Sequence, residues 1–299
     1  MQLPDPFKQN VIGAFPDGRA WLESLPVLLG ECQARWKILV GPPFDLSFNY
    51  VAPGITEAGR AIVIKLGVPN PELISEIQAL RFYAGQGAVR LLDADEEKGM
   101  LLMERITPGD ALTSVLNDED ATRIAAQTMR KLWQPLPRDS AFPTVEKCAD
   151  GLKRLRKRFD NGTGPFPAQL VDMAERLFAD LFSSTSAPPV LLHGDLHHSN
   201  ILLTQTEWIA IDPKGVAGEP AYEVGPLLEN PTPRLCTDLS VQRSRLDILA
   251  DELDLDRDRV LAYGVAHAVL SAWWSYEDSG GGWESACACG EALARLMSR

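Results

Sequence analysis

The most constraining feature of the chain is a polar loop between two short apolar segments at residues 190–203. It reads Leu191-Leu192-His193-Gly194-Asp195-Leu196-His197-His198-Ser199-Asn200-Ile201-Leu202-Leu203 and holds three of the four histidines of the chain. A further apolar segment, Trp208–Ile211, ends at Asp212. Short apolar segments separated by polar residues predict strands, and here the strand ends carry Asp195, Asn200 and Asp212.

These residue types and their spacing are typical of a phosphoryl-transfer site. Asp195 can orient an attacking hydroxyl and accept its proton, and Asn200 and Asp212 can supply oxygen ligands to Mg²⁺ at the nucleotide phosphates. An amide and a carboxylate oxygen suit this ion, because magnesium prefers hard oxygen donors. We therefore predict Asp195, His193 and Asn200 as catalytic residues, and Asn200 and Asp212 as metal ligands.

Three other interpretations of the loop stay open on the residues alone. His193 and Asp195 could simply hold the loop together. Alternatively, His193, Asp195, His197 and His198 could form a transition-metal hydrolase site, which needs tightly bound zinc, iron or manganese and no ATP. A nucleotide-binding regulator without catalysis is the third possibility, and it would bind ATP without turnover.

The first third of the chain supplies a second chemical signal, a lysine on an otherwise apolar strand. The predicted elements are the strands Trp36–Val40, Ser47–Ala52, Ala61–Leu66, Val89–Asp93 and Met100–Ile106, and one helix over Glu72–Gln86. Lys65 lies on the third strand, eleven positions before Glu76 in the helix. A buried lysine is costly unless it is paired, whereas a lysine that holds nucleotide phosphates and is steadied by a helix glutamate has a function.

After Ile106 the pattern becomes mainly helical. We place a boundary there, between residues 1–106 as a nucleotide-binding lobe and residues 107–299 as a catalytic and acceptor-binding lobe. Strands followed by helices predict an α+β fold. The predicted helices are Glu119–Trp133, Val145–Phe159, Pro167–Phe182, Leu235–Leu253, Arg257–Tyr276 and Trp283–Met297, and the predicted strands among them are Val190–Leu192, Ile201–Leu203 and Trp208–Ile211.

Composition narrows the class of protein and its partners. The 299 residues are 45% hydrophobic and 23% charged, which is typical of a globular chain. A formal net charge of −12 disfavours nucleic acid as a partner. The most apolar segment, Val260–Trp274, is too short and too interrupted for a membrane span, and the N-terminus lacks a signal-peptide pattern. Five scattered cysteines predict free thiols, so we expect a cytoplasmic protein.

On these motifs the chain resembles the aminoglycoside/hydroxyurea antibiotic resistance kinases, within the protein-kinase-like superfamily. The resemblance is to their streptomycin 6-kinase and hydroxyurea phosphotransferase branch. It rests on residues 193–200, on Ala210-Ile211-Asp212-Pro213-Lys214-Gly215 and on Gly218-Glu219-Pro220-Ala221-Tyr222-Glu223. Further similar segments are residues 42–51, 227–231 and 272–278. The resemblance implies a bilobal protein-kinase-like fold, with a small antiparallel-sheet N-lobe and a mainly helical C-lobe.

The same resemblance implies ATP and Mg²⁺ as cofactors and assigns nucleotide-binding positions. Lys65, with Glu76 as its partner, would hold the phosphates. Backbone groups around Ser47 and Asn49 would cover them, and the backbone from Glu104 to Ile106 would contact adenine. The chain departs from protein kinases in two places, because Pro213-Lys214 follows the metal aspartate and residues 43–51 contain no glycine-rich loop. Glu223 stands where this branch is expected to have aspartate.

The acceptor is expected to be a small, polar or cationic alcohol. The resemblance implies an aminoglycoside of the streptomycin type or hydroxyurea, and residues 106–299 hold 19 basic against 28 acidic residues, a balance that favours a cationic ligand. An endogenous amino alcohol or sugar is the alternative on the same fold. The predicted acceptor residues are Glu219, Glu223, Trp274, Glu277 and Asp278; the oligomeric state stays open.

Overall fold

The computed structural model describes residues 3–137, 139–185 and 188–297. The chain divides into two compact units, Met1–Gly109 and Asp110–Arg299. The elements of the first unit are α1 Asp5–Ala14, α2 Gly18–Trp36, β1 Ile38–Val40, β2 Tyr50–Thr56, β3 Ala61–Leu66, α3 Pro71–Tyr83, β4 Leu91–Asp95 and β5 Met100–Glu104. None of the described helices is long and apolar enough to cross a membrane.

The first unit is built on a five-stranded antiparallel sheet in the order β1-β2-β3-β5-β4. β3 is the central strand, and Ile62, Ile64 and Leu66 on it are fully buried. Helices α1 and α2 contribute Phe7 and Leu25 to the same hydrophobic core. The five-stranded antiparallel sheet confirms the fold class predicted for the N-terminal lobe. The prediction of a single helix was wrong, because α1 and α2 precede the sheet and pack on it.

Some element boundaries in this unit differ from the predictions. Trp36 ends a helix rather than beginning a strand, because Lys37 adopts a left-handed conformation that terminates α2 before β1 starts. The strand predicted over Ser47–Ala52 begins at Tyr50 and continues to Thr56, since its length is determined by pairing with the whole of β3. Pattern alone does not locate such ends.

Helix α3 begins where its sequence provides a cap. The Asn70 side chain accepts hydrogen bonds from the backbone of Glu72 and Leu73 at 2.8 and 3.1 Å, and Pro71 occupies the first helical turn. Ile77 and Leu80 are fully buried, which fixes the face that the helix turns inward. Glu76 lies on this face and is therefore withdrawn from water.

The second unit is mainly helical. Its elements are α4 Asp118–Leu132, β6 Gln134–Pro135, α5 Val145–Arg158, α6 Ala168–Ser184, β7 Val190–Leu192, β8 Ile201–Leu203, β9 Trp208–Ala210, β10 Val216–Gly218, α7 Gly225–Leu228, α8 Pro233–Thr237, α9 Leu239–Leu253, α10 Arg257–Ser279 and α11 Glu284–Met297. Short 3₁₀ turns cover Leu112–Ser114, His198–Asn200 and Pro220–Val224.

The centre of the second unit is α10, which packs against α5, α6, α9 and α11. Residues 260–270 of this helix are all buried, as expected for a helix that is apolar on every side. The helix predicted over Leu235–Leu253 is two helices. Asp238 breaks it, because its side chain accepts from the backbone of Ser240 and Val241 and so caps a new helix, α9.

Candidate active site

The loop that carries Asp195 is held between two small antiparallel sheets. β7 pairs with β10 through Leu192 and Val216, while β8 and β9 form a hairpin in which Ile201 opposes Ala210. Asp195 follows β7, Asn200 precedes β8, and Asp212 follows β9. The amide of Ile211 donates to the Asn200 carbonyl at 2.9 Å, so the segments that carry Asn200 and Asp212 are joined directly.

His193 supports the loop with its backbone and its ring. Its Nε2 lies 2.8 Å from the Ile211 carbonyl, and its Nδ1 lies 3.2 Å from the amide nitrogen of Asp195. The tautomer that satisfies both contacts donates from Nε2 and accepts at Nδ1. The His193 carbonyl accepts hydrogen bonds from the backbone amides of Lys214 and Gly215. Complete burial lowers the pKa of His193 to about 4, so the ring is neutral and orients Asp195.

Gly194 is required by the shape of this loop. Its φ of +82° is a conformation that L side chains rarely adopt, and a Cβ there would lie 2.7 Å from Cγ2 of Val216. The Gly194 backbone therefore passes close to β10 and brings the Asp195 backbone to the His193 ring.

The Asp195 side chain is partly buried but still accessible to a substrate. Its side chain is 38% exposed, and its carbonyl accepts from Nδ2 of Asn200 at 3.0 Å. Burial raises the pKa of the Asp195 carboxyl, while the charges of Lys214, His197 and His267 act in the opposite direction. A carboxylate with a raised pKa that a substrate can reach is suited to orient and deprotonate a hydroxyl.

Asn200 and Asp212 fit a magnesium ion. Because Nδ2 of Asn200 is committed to the Asp195 carbonyl, its amide oxygen is directed elsewhere and available as a ligand. Asp212 is exposed and adopts a φ of +64°, an uncommon conformation for a residue with a side chain and one that occurs at functional sites. Magnesium usually takes only one or two carboxylate-type ligands from the protein and completes its shell with water and phosphate oxygens.

Glu223, predicted as an acceptor residue, lies beneath the loop. It is fully buried, and its carboxylate accepts from the amide nitrogens of His193 at 2.6 Å and Gly194 at 2.9 Å. Burial raises the pKa of Glu223 to about 7, although the two backbone donors act to lower it. The Glu223 carboxylate is thus bound to the backbone of the loop that carries Asp195, residues 193–200, which we call the catalytic loop.

The histidine cluster does not assemble into a transition-metal site. Both ring nitrogens of His193 face partners of the loop, and His198 is buried with neither ring nitrogen bonded to a described residue. Burial lowers the pKa of His198 to about 4. Across residues 3–137, 139–185 and 188–297, no group of three or more His, Cys, Asp or Glu side chains is arranged to hold a metal. The geometry therefore gives the hydrolase interpretation no support.

In the first unit, Lys65 and Glu76 form a buried ion pair. Lys65 Nζ lies 2.8 Å from Oε1 and 2.7 Å from Oε2 of Glu76, and both side chains are less than 10% exposed. The pair joins the central strand β3 to α3. A protein tolerates such a buried lysine because its charge is neutralised in place.

The remaining nucleotide-binding predictions fall at the end of β5 and in the segments that precede β2 and follow β5. The Ser47 carbonyl accepts from Asn10 Nδ2 at 3.2 Å, which ties this segment to α1. Oδ1 of Asn49 lies beside Gly67, where a Cβ would come within 2.3 Å of it. The Glu104 carboxylate accepts from the Arg90 amide at 3.1 Å, and Ile106 is half-buried after β5. Their nucleotide contacts stay predictions.

The remaining predicted acceptor residues have varied surroundings. Glu219 is bound by Arg259, with additional contacts to Thr185 and Tyr263. Glu277 accepts two hydrogen bonds from the Arg154 guanidinium, both at 2.8 Å. Trp274 packs on the His267 ring with centroids 6.0 Å apart, and Asp278 is exposed.

One residue near the loop, His267, was not predicted from the sequence. His267, buried on α10, lies 2.6 Å through Nδ1 from Oε1 of Glu229, and its ring contacts Tyr222. Its charge acts to lower the pKa of both Asp195 and Glu223, which places it near the catalytic loop. The only available signal was a histidine in an apolar helix, which more often marks a core residue.

Comparison with known proteins agrees with the geometry. The family model described as aminoglycoside/hydroxyurea antibiotic resistance kinase matches residues 41–279. A streptomycin 6-kinase of Streptomyces glaucescens is 30% identical over 297 residues, covering 93% of this chain and 92% of the relative. A hydroxyurea phosphotransferase of Kitasatospora aureofaciens is 33% identical over 272 residues, covering 87% of this chain and 76% of the relative.

Solved structures show the same fold at low sequence identity. The choline kinase LicA from Streptococcus pneumoniae has a TM-score of 0.64 at 14% identity and covers 91% of this chain and 99% of its own. A thermostable aminoglycoside phosphotransferase, in a ternary complex with ADP and hygromycin B, has a TM-score of 0.62 at 14% identity and covers 90% and 97%. These similarities confirm the protein-kinase-like α+β fold predicted from the resemblance.

The family match extends from the sheet of the first unit to the end of α10 and includes the whole 193–223 region. The motif of the loop lies within the residues that match this family of kinases. The chain therefore belongs to the aminoglycoside/hydroxyurea antibiotic resistance kinases, a family of ATP-dependent kinases of small molecules.

Proposed function

We propose that the protein transfers the γ-phosphoryl group of ATP to a hydroxyl of a cationic aminoglycoside of the streptomycin type. The observation that carries this proposal is the half-exposed Asp195, positioned by His193 and Asn200 within a family of phosphotransferases. The named activities of the relatives, streptomycin 6-kinase and hydroxyurea phosphotransferase, support this acceptor class and keep hydroxyurea as the second candidate.

In this proposal each candidate residue has one task. Asp195 orients the acceptor hydroxyl and takes its proton as the new O–P bond forms. The bond between the γ-phosphorus and the β,γ-bridging oxygen of ATP breaks, and ADP leaves. Lys65, steadied by Glu76, neutralises nucleotide phosphates. Asn200 and Asp212 are the residues that would hold magnesium, which when bound supplies charge neutralisation at those phosphates.

The acceptor preference rests on charge. Residues 106–299 carry the larger share of the net negative charge, and a negative surface raises the local concentration of a cationic ligand. An amine- or guanidinium-bearing acceptor fits this balance better than a neutral sugar. The cytoplasmic location stays a prediction that agrees with the use of ATP.

The deciding experiment is a screen of acceptors with the purified protein. ATP consumption and phosphorylated product are measured with streptomycin, other aminoglycosides, hydroxyurea, choline and neutral sugars. We expect turnover with a guanidinium-bearing aminoglycoside and none with the Asp195→Asn protein, which controls for a contaminating kinase. Turnover of a neutral sugar, without any response to cationic acceptors, would reject the acceptor class while leaving the kinase assignment intact.

The metal assignment is tested separately. Asp212→Ala should weaken binding of Mg-ATP, measured by calorimetry, much more than binding of ATP in the presence of a chelator. Equal weakening with and without magnesium would contradict the role of Asp212 as a ligand. Metal analysis of the purified protein provides a second readout, because stoichiometric zinc would favour a hydrolase instead.

A further inference from the structure

Two of the five cysteines of the chain lie in contact inside the second unit. Cys236 lies in α8 and Cys289 in α11, two helices that pack against each other, and both residues are buried. A hydrogen bond joins their side chains. Two sulfur atoms in hydrogen-bond contact need only a small further approach to reach covalent distance.

A buried amide and two backbone carbonyls hold the pair in place. Nε2 of Gln242 donates to the Cys236 carbonyl at 2.8 Å and lies 3.7 Å from Sγ of Cys289. Sγ of Cys289 also lies 3.6 Å from the Leu228 carbonyl oxygen, and Sγ of Cys236 lies 3.3 Å from that of Pro233. Because Gln242 is fully buried and contacts both cysteines, it fixes one relative to the other.

The two thiols differ in acidity. Hydrogen bonds from Cys289 and Ser285 lower the pKa of Cys236 to about 7, although burial acts to raise it. The same hydrogen bond to Cys236, together with burial, raises the pKa of Cys289. Burial raises the pKa of Cys287, two positions earlier, to about 12. Since the thiolate is the nucleophilic form, Cys236 is suited to attack an oxidant and Cys289 to react second.

Cys236 lies directly beneath the protein surface. Ser285, whose hydroxyl bonds to its sulfur, is exposed, and so are Arg234 and Thr237 on either side of it in α8. This helix has only five residues. Short surface segments open locally at a low free energy, so an opening of α8 exposes the thiol to a small oxidant.

We propose that Cys236 and Cys289 form a redox-active dithiol that a hydroperoxide converts into an intramolecular disulfide. The Cys236 thiolate attacks the terminal peroxide oxygen, the O–O bond breaks, and the leaving oxygen takes a proton from solvent to give an alcohol or water. The sulfur of Cys289 then attacks the Cys236 sulfenic acid. The S–O bond breaks, and the sulfenic hydroxyl leaves as water with the Cys289 proton. The two thiols are oxidised, and one hydroperoxide is reduced.

The first test uses the intact wild-type protein with hydrogen peroxide and needs neither nucleotide nor acceptor, so its result is independent of the proposed phosphotransferase function. After brief exposure to peroxide the protein is denatured, alkylated and analysed by mass spectrometry. We expect three of the five cysteines to be alkylated and a cross-link between the peptides that contain Cys236 and Cys289. Dithiothreitol should restore all five thiols. Alkylation of all five after peroxide, or a cross-link between other cysteines, would overturn the proposal.

Serine variants separate the two roles. Cys289→Ser removes the resolving thiol, so Cys236 should stop at the sulfenic acid and be trapped by dimedone. Cys236→Ser should give neither the dimedone adduct nor the disulfide. The matched control is Cys287→Ser, at a buried cysteine of the same helix, and it should form the disulfide with the wild-type yield.

Thermal melting of each variant shows whether it is folded under the conditions of oxidation. Absence of the dimedone adduct in folded Cys289→Ser would contradict the attack by Cys236. Loss of the cross-link in folded Cys287→Ser would assign the disulfide to Cys287 instead of Cys289 and would also overturn the proposal. If a serine variant does not fold, the cross-link and thiol count of the wild-type protein decide the outcome.

Discussion

The catalytic loop and the predicted acceptor residues Glu219 and Glu277 use their polar groups in different ways. In the loop, the side chains of His193 and Asn200 bond to the Asp195 backbone, two and five residues away, and the His193 ring also contacts the Ile211 carbonyl. Glu219 and Glu277 instead bind arginines 40 and 123 positions away in sequence. Side chains with local partners can be interpreted from a motif, whereas long-range partners are determined by how helices pack.

The largest effect is expected from replacing Asp195 in the loop. Asp195→Asn removes the proton acceptor but keeps the shape, so transfer should fall about 10²–10⁴-fold while nucleotide binding stays near the wild-type value. The measurements are single-turnover transfer and equilibrium ATP binding. Asp172→Asn, at an exposed carboxylate bound by Arg156, is the control for loss of charge. Near wild-type transfer by Asp195→Asn would reject the assignment.

An intermediate effect is expected at the buried pair of the first unit. Lys65→Met removes a charged hydrogen-bond donor for phosphates and should lower kcat/KM for ATP by about tenfold to a hundredfold. It also removes the ammonium group that neutralises the buried Glu76 carboxylate, which should cost about 3–5 kcal/mol of stability.

The double variant Lys65→Met/Glu76→Leu separates these two consequences. It replaces both charges by apolar groups, so we expect the stability to recover while kcat/KM for ATP remains low. Chemical denaturation and steady-state kinetics on the same preparations provide the comparison. Recovery of both stability and turnover would show that Lys65 is only structural.

The smallest effect is expected at Glu277. Because this carboxylate is bound by Arg154 and the pair is partly exposed, Glu277→Gln should cost less than about 1 kcal/mol of stability. It should change kcat/KM for a cationic acceptor less than about threefold. A large increase in the acceptor KM at constant kcat would instead identify Glu277 as an acceptor anchor for which Arg154 competes.

The comparison also explains which elements the sequence predicted. β3, α3 and the β8–β9 hairpin agree closely with their predicted ranges, because each has a clear periodicity and a clear stop signal. Helices α1 and α2 were not predicted. Trp21, Leu25 and Cys32 do recur at helical spacing, but Pro26 and Gly30 interrupt the pattern, and packing on the sheet compensates for them.

Glu223 shows how far the sequence can predict the surroundings of a site residue. Its place after the motif Gly218–Ala221 marked it as functional, and its chemistry suggested a surface carboxylate that binds a cation. The structure shows Glu223 completely buried and bound by two backbone donors, and neither property can be inferred from its neighbours in sequence. Glu223 and His193 lie 30 residues apart in the chain, so their contact and the burial of Glu223 depend on how the unit packs.

By itself, the sequence determined the α+β class and the phosphotransferase motif, and it predicted Asp195, Asn200 and Asp212 as site residues. Local patterns suffice for these, because a strand, a turn and a cap depend on residues that are close in the chain. Only the tertiary structure decided which carboxylates are paired with arginine, which one supports the loop and which histidines are neutral. Desolvation and charge pairing depend on neighbours in space, and packing determines those neighbours.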